Sequence, residues 1–233
     1  MIPADLPTAA LHITVRGIVQ GVGFRPFIYR LAHKYALTGT VANNGEGVHI
    51  QIAGTAAALD RFVLALKSDA PPVARIVHLD LQPMDQVLEA ADFRIIASDS
   101  TSKPSTQIAP DIAIYDGCLA AINHPANTRF GYPFTNCTNC GPRFTIVERI
   151  PYDRPHTSMR FFAMCEACSR EYHDPHDRRF HAQPNACPDC GPSLSWHDQD
   201  GQRLPGDGLE QAAAQLALGK VVAIKGLGGF HLA

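Results

Sequence analysis

The chain has 233 residues, with 20 basic and 22 acidic side chains and a formal net charge of −2. Hydrophobic residues make up 45% and charged residues 18%, which is typical of a globular protein and excludes a disordered one. The near-neutral charge predicts no nucleic-acid partner, and the absence of an apolar run of roughly 18 residues predicts no membrane span. Because the N-terminus has neither a basic nor a long apolar segment, we expect no signal peptide and a cytoplasmic protein.

The first part of the chain has the hydrophobic pattern of an α+β domain. Alternating apolar residues predict strands, and apolar residues at helical spacing predict helices. In chain order the predicted elements are a strand at 11–15, a glycine-rich turn at 17–23, a helix at 24–35, strands at 40–42 and 48–52, a helix at 55–68, and strands at 74–81 and 92–97. The order βαββαβ is that of the ferredoxin-like fold, an antiparallel sheet with two helices on one face.

Composition divides the chain into four segments. Residues 1–98 form the α+β domain, and the polar residues 99–109 are predicted to be a linker. Residues 110–200 contain all seven cysteines, many prolines and little helical pattern, so this segment needs a source of stability other than a large apolar core. Residues 201–233 combine a predicted helix, an apolar strand and a glycine-rich turn, and we interpret them as the start of a further, truncated domain.

The cysteines occur in a pattern typical of zinc sites. Three CxxC pairs are present, and 18 residues separate the last two, which matches the spacing of a four-cysteine zinc site. The predicted ligands of that site are Cys165, Cys168, Cys187 and Cys190. Four thiolates leave no open coordination position, so the expected role of the zinc is structural. A redox dithiol or free thiols are less favoured, because the thioredoxin-like pattern is absent.

The cysteine segment also repeats itself. Residues 115–142 align with residues 165–192 at a shift of 50, with eight identities in 28 positions and the cysteines in register. This predicts two tandem modules, at 115–140 and 165–190, and a first metal site formed by Cys118, Cys137 and Cys140. Tyr115 stands where the repeat requires a fourth cysteine. Either His124 or water completes this site, or the site is empty.

The glycine-rich turn carries the features of an anion site. It joins a strand to the N-terminus of a helix, where free backbone N–H groups and the helix dipole favour negative charge. Arg25 lies in the first helical turn, where its guanidinium can bind phosphate oxygens. The predicted phosphate-binding residues are Gln20, Gly21, Val22, Gly23, Phe24 and Arg25.

Two motifs in this region resemble those of acylphosphatases. The first is Gly-x-Val-Gln-Gly-Val-x-Phe-Arg at residues 17–25, and the second is Gly-x-Val-x-Asn at residues 39–43. The resemblance implies that Arg25 binds the phosphate of an acyl phosphate and that Asn43 orients the attacking water. It also implies a reaction without a metal or a covalent intermediate, driven by positioning and charge stabilisation.

The whole chain resembles the N-terminal part of the HypF carbamoyltransferases of [NiFe]-hydrogenase maturation. Three long stretches carry this resemblance, at residues 132–145, 151–154 and 178–188, while residues 225–233 look like the opening of that family's YrdC-like domain. The resemblance implies carbamoyl phosphate as substrate and a HypE-type protein as partner. It also implies that ATP is used only with domains beyond this chain.

Two other functions remain open at this point. One is a free-standing acylphosphatase with a structural zinc appendage. The other is a zinc-dependent module that binds protein or RNA.

Overall fold

The structure is a computed structural model that describes residues 8–85, 90–99 and 101–233. The first seven residues of the predicted α+β domain, residues 86–89 and one residue of the predicted linker lie outside this part. The described residues form the following strands and α-helices: β1 (Thr8–Ile18), α1 (Phe24–Lys34), β2 (Thr38–Asn43), β3 (Val48–Thr55), α2 (Ala56–Ser68), β4 (Arg75–Pro83), β5 (Phe93–Ile95), α3 (Asp116–Asn123), α4 (Glu166–His173), β6 (Trp196–His197), β7 (Arg203–Leu204), α5 (Gly208–Ala217), β8 (Ala223–Lys225) and β9 (Phe230–Leu232).

The first domain is built on a five-stranded sheet in the order β4-β1-β3-β2-β5. The α+β class and the ferredoxin-like order of the first six elements are confirmed. The sheet is not wholly antiparallel as predicted, because β5 pairs with β2 in parallel. β1 and β2 run in the same direction, because each is antiparallel to β3, and β4 runs in the opposite direction. β5 runs opposite to β4 and lies at the other edge of the sheet, so it is parallel to β2.

The core of this domain lies between one face of the sheet and the helices α1 and α2. Alternate residues of β2 and of the first part of β3 point into it, including Val41, Ile50 and Ile52, which are fully buried. The helices bury their apolar stripes against this face, as the sequence periodicity predicts. The side chain of Thr55 accepts a hydrogen bond from the Ala58 N–H and so caps α2 at its N-terminus.

The linker predicted from composition packs along the first domain. The N–H groups of Ser105 and Thr106 donate to the carbonyl of Gly45 at 2.7 and 2.9 Å. Ala109 is buried in the core of the first domain. The segment therefore fixes the cysteine-bearing part of the chain close to the glycine-rich turn.

The cysteine-bearing part consists of two similar units, which we call the first finger (115–142) and the second finger (165–192). Each begins with a two-turn helix, α3 in the first and α4 in the second, and each continues through turns and loops, with a short 3₁₀ helix at Thr138–Cys140 in the first. A small apolar cluster around Tyr132 and Met159 lies between them. This agrees with a segment that depends on metal ions and polar contacts for its stability.

Residues 196–233 form small elements with exposed surfaces. The short hairpin β6–β7 precedes α5, and β8 pairs with β9 in a second hairpin. The predicted helix and strand of this region are present as α5 and β8, with the glycine-rich turn between β8 and β9. Among the described residues, no helix has the length and apolar character needed to cross a membrane.

Candidate active site and metal centres

The turn between β1 and α1 has a backbone conformation that glycine favours. Gly21 and Gly23 both have φ near +73°, and Gly23 is the N-cap residue of α1. A Cβ atom on Gly21 would lie 2.7 Å from the Pro142 side chain and 3.1 Å from the Tyr152 ring. Glycine at this position therefore permits both the left-handed turn and the close approach of the finger segment.

The N-terminus of α1 offers unpaired backbone N–H groups. The first hydrogen bond of the helical type runs from the Phe27 N–H to the Gly23 carbonyl at 3.0 Å. The N–H groups of Phe24 and Arg25 precede it and have no partner within the helix. The first turn of α1 contains no acidic residue, so its positive dipole end is not neutralised there and favours an anion.

Arg25 and Asn43 lie in contact beside this turn. With the Asn43 amide oriented so that its oxygen faces Arg25, Oδ1 accepts hydrogen bonds from Nε and Nη2, both at 3.2 Å. Both residues are buried, and Arg25 Nη1 also donates to Ser98 Oγ at 3.2 Å. Asn43 therefore fixes the guanidinium and keeps its amide nitrogen as a hydrogen-bond donor.

The other predicted phosphate-binding residues play unequal parts. Gln20, Gly21, Gly23, Phe24, Arg25 and Asn43 line one cavity, whereas Val22 does not and instead packs in the core. The Gln20 side chain is used structurally, since Nε2 donates to the carbonyls of Asn44 and Gly47 at 2.8 Å. Its Oε1 accepts from the Tyr152 N–H at 2.9 Å, which ties the turn to the finger segment.

The finger segment closes the other side of this cavity. Its residues that line the cavity are Cys137, Thr138, Gly141, Tyr152, His181, Ala182, Gln183 and Pro184. Asp153 Oδ1 accepts a hydrogen bond from Arg25 Nη2 at 2.6 Å, and the Tyr152 carbonyl lies 3.4 Å from the same nitrogen. The cavity has a volume of about 20 Å³, which is room for one water molecule.

His181 brings an imidazole to the same cavity. Burial, with the charge of Arg25 as a further cause, lowers the pKa of His181 to about 4. The imidazole is thus neutral near pH 7. His181 has φ of 55°, a left-handed conformation that is uncommon for a residue other than glycine. The surrounding finger therefore fixes the position of this ring closely.

The four-cysteine cluster has the geometry of a tetrahedral zinc site. The Sγ atoms of Cys165, Cys168, Cys187 and Cys190 all lie within 4.8 Å of one another. Three of the pairs are separated by 3.6–3.7 Å, close to the edge of about 3.8 Å expected for four sulfurs 2.3 Å from a zinc ion. Burial raises the pKa of the Cys168 thiol, so a cation is needed to hold these sulfurs as thiolates. The residues fit zinc.

The three-cysteine cluster consists of Cys118, Cys137 and Cys140, which are all buried and also lie within 4.8 Å of one another. Tyr115 occupies the N-cap of α3, the place that Cys165 takes at α4. Its backbone N–H donates to Cys140 Sγ at 3.5 Å, while its side chain is exposed. Three thiol groups packed this closely also fit zinc.

The structure does not bring His124 to the three-cysteine cluster. This residue is exposed at the C-terminal end of α3, and its Nδ1 accepts a hydrogen bond from the Ala126 N–H at 3.3 Å. No described histidine or carboxylate joins the three sulfurs as a potential ligand. The sequence offers either His124 or water as the fourth ligand of this site, and the geometry therefore favours water.

The sequence matches two family models. The acylphosphatase model matches residues 11–95, and the HypF finger model matches residues 116–147 and 164–197. The chain is 52% identical to the carbamoyltransferase HypF of Rhodobacter capsulatus over 226 residues, which cover 96% of this chain and 30% of that protein. The crystal structure of a full-length HypF in its phosphate- and nucleotide-bound form superimposes with a TM-score of 0.90 at 45% identity, over 99% of this chain and 30% of that one.

The chain belongs to the HypF family. It corresponds to the N-terminal acylphosphatase-like and zinc-finger region and spans about 30% of the length of the HypF proteins it matches. The acylphosphatase of Staphylococcus haemolyticus is 38% identical over 85 residues, which cover 36% of this chain and 96% of that protein. The HypF assignment made from the sequence is thus confirmed, in preference to a free-standing acylphosphatase or a zinc-dependent binding module.

Tyr152, His181 and Gln183 line the cavity and Asp153 contacts Arg25 beside it, although the sequence predicts none of the four as a site residue. Tyr152 and Asp153 belong to the Pro-Tyr-Asp-Arg stretch, and His181 and Gln183 belong to the Arg-Arg-Phe-His-Ala-Gln-Pro stretch. In the sequence both stretches indicate only the family resemblance. They have no local pattern that points to the glycine-rich turn more than 100 residues earlier, so their place in the cavity becomes visible only in the folded chain.

Proposed function

We propose that the first domain of this chain cleaves carbamoyl phosphate, as the front part of a HypF carbamoyltransferase. The single observation that carries the proposal is the joint position of Arg25, Asn43 and the free N–H groups of α1 at one cavity. Such a set of donors suits a phosphate group and the negative charge that develops during its transfer.

The chemistry needs only these donors and a water molecule. Arg25 and the backbone N–H groups would bind the phosphate oxygens, and the amide of Asn43 would orient the water. Water adds to phosphorus as the bond from phosphorus to the carbamoyl oxygen breaks, which gives carbamate and phosphate. Both protons of the water leave with the phosphate. Because an acyl phosphate has a good leaving group, positioning and charge stabilisation are sufficient.

We assign the later steps of the reaction to the part of the HypF proteins that this chain does not cover. Activation with ATP and transfer of the carbamoyl group to a HypE-type protein are proposed for the complete carbamoyltransferase. The zinc ion of the four-cysteine cluster has no part in this chemistry, since that cluster has no open coordination position. The seven unpaired cysteines agree with a reducing compartment, and we propose the cytoplasm as the location.

The proposal is tested by incubating the zinc-loaded chain with carbamoyl phosphate and measuring phosphate release. Arg25→Ala should lower kcat/KM by a factor of about 100–1,000, the usual effect of removing one preorganised charge-stabilising donor. Arg16→Ala serves as the matched control, because Arg16 lies on β1 in an exposed pair with Glu46. Equal turnover by the wild-type chain and Arg25→Ala would refute the assignment.

A further inference from the structure

Asp153 is a carboxylate that the finger segment inserts into the anion site of another domain. Its side chain is 16% exposed, that of Arg25 is 9% exposed, and the two form an ion pair at 2.6 Å. The matched acylphosphatase from Staphylococcus is covered almost entirely by the first domain of this chain, so it has no counterpart of this segment. A carboxylate next to a phosphate-binding arginine is unfavourable for anion binding in itself, because like charges repel.

The neighbours of Asp153 hold it in place. On one side, the Tyr152 N–H donates to the buried side chain of Gln20. On the other side, the Arg154 guanidinium donates to the carbonyls of Gln183 and Asn185 at 2.8 Å and to that of Phe162 at 2.6 Å. With both flanking residues anchored, the backbone of Asp153 is fixed, so its carboxylate stays beside the site even when an anion takes its place on Arg25.

The hydrogen bonds of Arg25 show what must change when phosphate binds. A guanidinium has five N–H donors. Asn43 takes two of them, Asp153 takes one and Ser98 takes one. The cavity also has room for only one water molecule. These contacts account for four of the five N–H groups, so a phosphate that accepts from two of them must displace one of these acceptors, and Asp153 Oδ1 is the one that lies on the finger side.

The displaced carboxylate then needs a new donor. A buried carboxylate that loses its hydrogen-bond partner is costly. The amino group of carbamoyl phosphate offers two N–H donors next to the acyl phosphate linkage, whereas the methyl group of acetyl phosphate offers none.

From this exchange of donors we propose that Asp153 is a specificity-determining residue, which accepts a hydrogen bond from the substrate's amino group and selects carbamoyl over acetyl phosphate. This inference rests on the proposed function and deepens it.

The test uses two stable probes that differ only in this group. Phosphonoacetamide carries the amino group, and 2-oxopropylphosphonate carries a methyl group in its place. Titration calorimetry on the zinc-loaded wild-type chain should show that phosphonoacetamide binds about tenfold or more tightly, the effect of one hydrogen bond to a charged group. In Asp153→Asn and in Asp153→Ala this ratio should fall towards one, chiefly through weaker binding of the amide. Zinc content and circular dichroism report whether each variant is folded.

A matched control is Asp60→Asn, which removes one exposed carboxylate from α2 and should keep the wild-type ratio. A ratio near one in the wild-type chain overturns the inference, whether or not the variants fold. So does a ratio that persists in Asp153→Asn. A uniform gain or loss for both probes would also overturn it, since that result assigns Asp153 only a competing or structural role. A wild-type chain that prefers the amide but releases no phosphate from carbamoyl phosphate would count against the proposed hydrolysis and not against Asp153.

Discussion

Arg129 and Arg179, which are 50 positions apart, each donate from Nε to a backbone carbonyl of the opposite finger. Arg129 donates to Ala186 at 2.8 Å, and Arg179 donates to Asn136 at 3.2 Å. These two carbonyls are also 50 positions apart, so the contacts repeat with the symmetry of the sequence. Each finger thus supplies a buried arginine that holds the loop before the last two cysteines of the other finger.

Glu171 joins this pair of arginines at a single carboxylate. Arg129 donates to its two oxygens at 2.8 and 2.5 Å, and Arg179 donates to Oε1 at 3.2 Å. Burial acts to raise the pKa of Glu171, but the hydrogen bond and charge of Arg129 outweigh it, and the pKa is lowered. Arg129 Nη2 also lies 3.3 Å from Cys168 Sγ, which connects the pair to the four-cysteine cluster.

We predict that Glu171→Gln destabilises the fingers by about 3 kcal/mol, because it leaves two buried guanidinium groups without their common counter-ion. Since the pKa of Glu171 is lowered in the folded state, its contribution is fully present above the unfolded value near 4.3 and is lost as the pH falls through the folded value. Urea unfolding at pH 7 measures the first effect. The difference between the wild-type chain and Glu171→Gln, followed as the pH is lowered, measures the second separately from the loss of zinc in acid.

The control for this prediction lies on the same helix. Glu166 forms an exposed pair with Arg170, four residues away, and such pairs contribute little. Glu166→Gln should therefore unfold at nearly the wild-type urea concentration. Equal stability of the two variants would show that Glu171 is not the centre of the arginine pair.

Asn43 provides a second prediction, on the candidate active site. Asn43→Ala removes the acceptor of two Arg25 hydrogen bonds and the amide donor for water, and we expect kcat for carbamoyl phosphate to fall by a factor of about 100. Phosphate release measures the effect. Asn44→Ala is the control, because the Asn44 side chain accepts hydrogen bonds within the β2–β3 turn and contacts His49, not Arg25. A similar loss in both variants would point to the hairpin and not to Asn43 itself.

Much of the first domain could be predicted from the sequence, because its signals are local. The strands and helices have apolar residues at spacings of two or of three to four, and Gly21 and Gly23 mark a turn before a helix. The parallel β5 could not be predicted in the same way. The sequence predicts a strand at 92–97, where β5 lies, but not its direction, which depends on which sheet edge remains free.

In the candidate site, too, contacts between sequence neighbours could be predicted and long-range contacts could not. Arg25 and the glycine-rich turn are neighbours in sequence and could be predicted together. Asp153 reaches Arg25 from 128 positions away, through an approach that depends on Gln20, the 99–109 segment and both fingers. No periodicity encodes a contact of this kind. The sequence predicts Gln20 as a phosphate-binding residue, but it gives no sign that the Gln20 side chain also connects the first domain to the finger segment.

The zinc content gives a third prediction. We expect two zinc ions per chain, with the ion of the three-cysteine cluster lost first on treatment with a chelator, because three protein ligands bind less strongly than four. Elemental analysis during titration with the chelator measures this order. Cys118→Ser should leave one zinc ion, whereas His124→Ala should leave two, since His124 lies outside the cluster. One zinc ion in the wild-type chain, unchanged in Cys118→Ser, would show that the three-cysteine cluster holds none.

The final prediction concerns Tyr115, which caps α3 where Cys165 caps α4. Its N–H already donates to Cys140 Sγ, so its backbone lies beside the cluster and a short thiol side chain from the same position can reach the metal. We expect Tyr115→Cys to complete a four-cysteine site, and to raise the chelator concentration needed to remove the first zinc ion to the level of the second. Tyr115→Ser is the matched control, because it removes the aromatic ring without supplying a thiolate. If Tyr115→Ser retained zinc as strongly as Tyr115→Cys, the gain would come from removal of the ring, and the position would not be that of a missing ligand.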